Sequence, residues 1–256
     1  MPLVTLNSIQ YYYDTNVPTL EKPRQRILFV HGAGGSHRHW RLQLAHLSKE
    51  YQAIAVDLPG HDLSEGNPFN RVAEYSRFIK DFVDCLLDVP FILVGHSMGG
   101  AIAMDFALKN SHRLAGLVLV GTGSRLRVMP QLLESFKKNK FFAGLEQFLY
   151  SPDSSADMFS RAKKELESVP PSVFFADFTA CDNFNVGDRL GEITAPTLII
   201  SGEKDVMTPV KFGQLLFDQI PGAQISVIPK AGHMMMMERP REFNRVVEAF
   251  VKGLIE

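Results

Sequence analysis

A serine hydroxyl becomes a nucleophile only when a base can take its proton. Three short motifs hold the residues for that task, in the order serine, aspartate, histidine. Gly95-His96-Ser97-Met98-Gly99-Gly100 follows the apolar run 91–94 and precedes a helical pattern. A G-x-S-x-G turn between strand and helix lifts Ser97 out at the carboxyl end of the strand, with the helix N-terminus facing developing negative charge. His233, in Lys230-Ala231-Gly232-His233, follows the last apolar run and is the expected general base. Asp205, in Ser201-Gly202-Glu203-Lys204-Asp205, follows the run before it and is the expected orienting carboxylate, with Glu203 as its rival. The glycine-rich stretch His31-Gly32-Ala33-Gly34-Gly35 follows a third run. Glycines let backbone N–H groups approach a substrate oxygen, and the expected oxyanion donors are the N–H groups of Ala33 and Met98. No Gly-Lys-Ser/Thr and no G-x-G-x-x-G accompanies these glycines, which argues against a nucleotide site.

Such motifs need a scaffold that presents loops along one edge. Apolar, β-rich runs recur at 9–13, 27–30, 53–56, 91–94, 117–120, 197–200 and 225–228. Several are apolar at consecutive positions, the pattern of strands covered on both faces in a parallel sheet. Leu3-Val4-Thr5-Leu6 and the turn pair Asn7-Ser8 predict an antiparallel hairpin with the first run. Helical spacing fills the gaps at 72–87, 98–108, 210–220 and 241–254. Alternating strands and helices predict an α/β fold, a right-handed doubly wound sheet.

Residues 125–190 break the alternation. They predict helices at 131–150, 155–167 and 172–181, divided by Pro152 and Pro170-Pro171. The segment holds nine of the 19 phenylalanines, with 9 Lys/Arg against 9 Asp/Glu, so it reads as an apolar-faced helical insertion. Phe136, Phe142, Met129, Met207 and Met234 are candidate pocket walls, weighed against plain packing roles.

Composition closes off other functions. A net charge of −1 and 45% hydrophobic residues over 256 positions fit a globular chain and lack the basic excess of a nucleic-acid binder. No apolar run approaches the ~18 residues of a membrane span. Residues 1–5 show no export signal, so a soluble cytoplasmic protein is expected. Cys85 and Cys181 fit no metal or redox spacing and are expected as buried free thiols. His37 and His39 lack a supporting Cys or Glu-x-x-His pattern, so neither a metal nor a cofactor is expected. Asp57, in Asp57-Leu58-Pro59-Gly60-His61, is expected to hold its own loop. The oligomeric state is left open.

His31-Gly32, Asp57 to His61, Gly95 to Gly99, Pro196 to Gly202, Asp205 and Gly232-His233 stand in an order and at spacings that resemble the α/β-hydrolase superfamily. The resemblance covers nearly the whole chain. It implies a mostly parallel eight-stranded sheet flanked by helices, with a helical cap inserted after the sixth strand. Residues 125–190 would be that cap, and 1–124 with 191–256 the core. It also implies a Ser97–His233–Asp205 triad with Ala33 and Met98 as oxyanion donors. The nucleophile is serine, unlike the aspartate of haloalkane dehalogenases and epoxide hydrolases. Carbon–carbon bond hydrolases share the triad, yet their oxyanion loop reads more like His-Gly-Ser-Gly-Pro-Gly. Cofactor-free haloperoxidases, or perhydrolases, often carry Ser-Met-Gly-Gly. The expectation is a carboxylic-ester hydrolase for small to medium apolar esters. A scaffold that binds small molecules with little catalysis is the expectation of another class.

Overall fold

Strands with consecutive apolar residues can be satisfied only inside a sheet with both faces covered, and such a sheet organises this chain. In the computed structural model, residues 2–17, 25–47 and 51–254 are described. The strands are β1 (Leu3–Leu6), β2 (Ile9–Thr15), β3 (Gln25–Val30), β4 (Tyr51–Val56), β5 (Phe91–His96), β6 (Leu114–Val120), β7 (Thr197–Gly202) and β8 (Gln224–Ile228). They form one sheet in the order β1-β2-β4-β3-β5-β6-β7-β8. β1 and β2 make the expected hairpin, and β2 joins β4 antiparallel; all other pairings are parallel. Asn7 and Ser8 both take the positive φ a two-residue hairpin turn requires, at 51° and 66°.

The helices are α1 (Arg41–His46), α2 (Val72–Leu86), α3 (Met98–Asn110), α4 (Pro130–Lys137), α5 (Glu146–Leu149), α6 (Ala156–Ser168), α7 (Pro171–Asp182), α8 (Val210–Gln219), α9 (Met235–Glu238) and α10 (Pro240–Gly253). Alternate strand residues feed opposite faces. Leu28 and Val30 join Ile79, Phe82 and Ile102 of α2 and α3 on one side. Ile27 and Phe29 join Trp40, Phe243 and Val247 on the other. α10 buries Phe243, Val247, Phe250 and Val251, the i, i+4, i+7, i+8 stripe of a helix lying on a core.

Strand order sets the position of the chemistry. β4 and β5 lie on opposite sides of β3, so the winding reverses between β3 and β5. Ligands of open α/β sheets bind outside the carboxyl ends of strands at such a reversal. The glycine-rich loop follows β3 and Ser97 follows β5, which brings both to that point.

Between β6 and β7 lie α4 to α7, in the segment 125–190 that is expected to form a cap and is called the cap segment, or cap, below. Its Leu132, Phe136, Leu145, Leu166, Phe174 and Phe178 form a third apolar cluster. The expected helix over 131–150 is interrupted: α4 ends at Lys137, and α5 resumes only at Glu146. Asn139 and Gly144 adopt φ of 55° and 83° between them, values a continuous helix cannot hold. Cys181 is buried as expected, but Cys85 is exposed, because it falls on the outer face of α2. α1 was not anticipated; its six residues are too few for a periodic signal. No helix among the described residues is long and apolar enough to cross a membrane.

Candidate active site

Ser97 sits at φ 54°, ψ −116°, a strained conformation for a residue with a Cβ. The turn closes because its neighbours have no side chains. A Cβ on Gly95 would lie 2.1 Å from the Gly99 carbonyl oxygen, and one on Gly99 would lie 2.4 Å from that of Val30. The Ser97 N–H donates to the Val120 carbonyl at 2.9 Å, which fixes the turn to β6.

His233 follows β8 and is 2% exposed. Its Nδ1 lies 2.8 Å from Asp205 Oδ2, so Nδ1–H donates to the carboxylate and Nε2 is left free to accept a proton. Asp205 Oδ1 accepts from the N–H groups of Met207 and Thr208, both at 2.9 Å, and Oδ2 accepts from Thr208 Oγ1 at 2.7 Å. Burial alone would raise the Asp205 pKa, but the His233 imidazole and these hydrogen bonds outweigh it and hold the carboxyl below its ordinary value. Asp205 therefore stays ionised at neutral pH. The rival Glu203 is turned away, its Oε2 accepting from Lys230 N at 2.8 Å. Ser97 and His233 line the same cavity, although no Ser97 Oγ hydrogen bond is formed among the described residues. Such contacts often close only around substrate.

Ala33 and Met98 present backbone N–H groups that have no protein acceptor among the described residues. The loop carrying Ala33 is pinned on both sides. His31 donates from Nδ1 to Gly32 O at 2.8 Å and accepts Leu58 N–H on Nε2 at 3.1 Å. Burial holds this imidazole well below its usual pKa, so it remains neutral and keeps that tautomer. Gly34, at φ 64°, donates its N–H to Asp177 Oδ2 of α7 at 2.8 Å. Asp57 is fully buried and accepts from His37 N at 2.6 Å and from His37 Nδ1 at 2.9 Å, the loop-holding role expected for it. His37, Asp57 and Asp62 could together offer metal ligands, but His37 and Asp57 are engaged with each other and Asp62 is held by Arg38.

The cavity above Ser97 has a volume of about 40 Å³. At ~10–15 Å³ per water it holds about three waters. Its wall is mostly apolar, with Leu145, Leu149, Leu166, Phe174 and Phe178 lining it together with Ser97 and His233. Neither lysine nor arginine is among the described lining residues. Of the candidate pocket walls, Met207 and Met234 line it. The other three do not: Phe136 is 2% exposed inside the cap cluster, stacked 4.8 Å from Phe174; Phe142 packs against that cluster; Met129 is 44% exposed on the surface. The cap needs its own core, and that demand takes Phe136 and Phe142 out of the site.

Several residues at the site were not anticipated. His96 donates from Nε2 to the His233 carbonyl at 3.0 Å, bracing the loop of the base. Burial, then the proximity of His233, keep its pKa well below the usual value. Thr208 braces Asp205, and the Asp-x-x-Thr spacing was the available signal. Thr208→Val keeps the shape and removes one charge-assisted hydrogen bond. The expected result is a roughly tenfold lower kcat with KM nearly unchanged, since the bond acts on the base rather than on substrate. Steady-state kinetics on a single chromogenic ester will measure it.

Comparison with known proteins follows the same line. A model of the Alpha/beta hydrolase family matches residues 27–246. A 2-hydroxy-6-oxononadienedioate/2-hydroxy-6-oxononatrienedioate hydrolase of Cupriavidus pinatubonensis is 30% identical, over 89% of this chain and 86% of that protein. A pimeloyl-[acyl-carrier protein] methyl ester esterase of Neisseria meningitidis is 25% identical, over 91% of this chain and 78% of that protein. The solved structure of a thermophilic esterase superposes with a TM-score of 0.85 at 29% identity, covering 99% of this chain and 97% of that one.

Proposed function

The chain belongs to the Alpha/beta hydrolase family, and from that membership we propose that it is a serine carboxylic-ester hydrolase for small, uncharged acyl groups. The two relatives and the structural neighbour described above are hydrolases, and the chain is a hydrolase of the same family. In this reading Ser97 attacks the ester carbonyl as His233 removes its proton. The N–H groups of Ala33 and Met98 take the charge on the tetrahedral oxyanion. His233, held by Asp205, protonates the departing alcohol, and water repeats the cycle on the acyl-enzyme. Residues 125–190 serve as the cap that covers the acyl group.

One observation carries the choice of substrate. The cavity shared by Ser97, His233 and the oxyanion loop is small and mostly apolar, with the Glu165 carboxylate but no lysine or arginine among its described lining residues. The dienedioates in the Cupriavidus enzyme's name carry two carboxylates, and a buried carboxylate needs a cationic or multiply hydrogen-bonded partner. That argues for esters over carbon–carbon cleavage of a dianion. The oxyanion loop, with Ala33 and Gly35, points the same way.

The test is twofold. A short-chain fluorophosphonate should label the protein at Ser97, located by peptide mass spectrometry, and 4-nitrophenyl acetate should be turned over faster than the 4-nitrophenyl ester of succinic acid. Absence of labelling in folded protein would remove the triad reading. Labelling without turnover of any ester would favour a binding scaffold. Peroxide-dependent bromination exceeding ester hydrolysis would favour a perhydrolase.

A further inference from the structure

Besides the chain connections, the Met234 N–H bond to Leu149 O at 3.0 Å and the Tyr150 Oη contact with Met237 Sδ at 3.7 Å, three carboxylates tie the cap to the core among the described residues, and they differ in strength. Asp177, 0% exposed, accepts from Gly34 N–H, His61 Nε2 and Tyr75 Oη at 2.8, 2.8 and 2.6 Å. Glu238 is also buried and accepts from Ser151 N, Ser154 Oγ and Gly232 N at 2.9, 2.8 and 2.8 Å. The third tie is a single contact, His39 Nε2 to Glu165 Oε1 at 3.1 Å, with the Glu165 side chain 38% exposed. Breaking either of the first two would strand charge and donors in the interior. Breaking the third returns a carboxylate to water, which costs little.

That weak tie lies between two spaces. On its inner side is the cavity of about 40 Å³ above Ser97. On its outer side a groove of about 610 Å³ runs between cap and core. Gly34 and Glu165 line both. Gly34 has no side chain to move, and the Phe174 ring fills the space beside it, 2.1 Å from where a Cβ would stand. The Glu165 side chain is therefore the movable part of the partition. The groove is lined by Ser36, Arg38, Asp62 and Lys164, with Val169 and Val173. Its polar lining mixes donors and acceptors: Arg38 is held by Asp62, so the donor left uncommitted is the exposed Lys164, which has no partner among the described residues.

We propose that Glu165, latched to His39, is the specificity gate of this enzyme, and that the groove beyond it is an outer subsite for the distal part of a longer ester. The subsite suits an uncharged distal chain rich in hydrogen-bond acceptors, such as ether or amide oxygens. This rests on the ester-hydrolase reading. With the latch closed the inner cavity admits an acetyl-sized group; with Glu165 swung out, cavity and groove become one channel. α7 stays docked through Asp177, so opening needs only the α6 side chain to move and leaves the oxyanion loop undisturbed.

The experiment compares wild type, Glu165→Ala and Glu165→Gln on three substrates: 4-nitrophenyl acetate, heptanoate and (2-methoxyethoxy)acetate. Glu165→Ala should raise kcat/KM for the two long esters relative to acetate by about tenfold, the scale on which pocket contacts discriminate. Glu165→Gln keeps the bulk and a neutral hydrogen bond and should fall between the two. Wild type should prefer the ether chain to the alkyl chain of matching length. An unchanged long-to-short ratio in Glu165→Ala would overturn the gate, and a preference for the alkyl chain would overturn the assigned subsite chemistry. Labelling of Ser97 by a methyl fluorophosphonate serves as the control in every variant. Its presence with unchanged ratios means that the gate alone fails, and its absence means that the ester-hydrolase reading fails first.

Discussion

Replacing Ser97 by alanine should lower ester turnover by about 10⁵-fold, the range in which loss of an activated nucleophile falls, while leaving the fold intact. The reasoning begins with what the substitution removes. Only Oγ goes, and that atom makes no hydrogen bond among the described residues, so no buried partner is stranded. Alanine carries the same Cβ as serine and meets the same strain at φ 54°. The hydrogen bond from this residue's N–H to Val120 O is made by backbone and persists. Stability is therefore expected to change by no more than about 0.5 kcal/mol. Residual activity would come from the Ala33 and Met98 donors, which still stabilise an oxyanion when water attacks directly. Stopped and steady-state assays with 4-nitrophenyl acetate, beside thermal unfolding followed by circular dichroism, give both numbers. Turnover above about one hundredth of wild type would rule Ser97 out as the nucleophile.

Asp177→Ala is the second large effect, and it acts on stability and chemistry together. The carboxylate, carried on the cap helix α7, is the common acceptor for the proposed oxyanion loop and two core side chains. Its removal leaves Gly34 N–H, His61 Nε2 and Tyr75 Oη without their acceptor in a buried space. Breaking a buried charged network in this way costs about 3–5 kcal/mol, which urea titration will read directly. Catalysis should fall as well, because Gly34 follows Ala33, whose N–H is the proposed oxyanion donor. The loss is expected mainly in kcat, since the donor binds the transition state more tightly than the substrate. Asp177→Asn retains one acceptor oxygen and should recover part of both.

The pH dependence of this network has a definite sign. Burial would lower the His61 pKa, but the Asp177 charge and hydrogen bond outweigh it, so the folded value is raised above the usual one. A raised histidine pKa stabilises the protein fully below the unfolded value, near about 6.5, and the benefit is lost as pH rises through the folded value. The stability gap between wild type and Asp177→Asn should accordingly narrow as pH rises above about 6.5.

How much of this was legible in the sequence depends on the range over which each feature is encoded. The sheet was legible because parallel strands such as 91–94 and 117–120 are apolar without interruption. Ser97, Asp205 and His233 were legible because each follows an apolar run, and strand ends are where this architecture puts its chemistry. The pocket was not. Phe136 and Phe142 look like Phe174 and Phe178 in sequence, and only cap packing decides which rings face Ser97 and which face one another. The break at 138–145 was hidden for a related reason: Asn139 and Gly144 are tolerable in a helix, and the turn they make is imposed by the packing of α4 on α7. Asp177 did leave a trace, a lone carboxylate in Phe174-Phe175-Ala176-Asp177-Phe178. A charge on so apolar a helix implies buried donors, but their identity, 143 positions away at Gly34, is not a local property.

The Asp177–Gly34 bond has a consequence for how this enzyme can be re-engineered or can diverge. A cap is often treated as an interchangeable module that may be grafted from one hydrolase to another to change selectivity. Here the donor cap would have to bring a carboxylate at the Asp177 position and an aromatic ring that tolerates a bare glycine at Phe174. Without both, the recipient loses the support of its own oxyanion loop. Cap and loop thus have to be exchanged as one unit, and chimaeras that cut between residues 34 and 177 should be inactive even where each half folds.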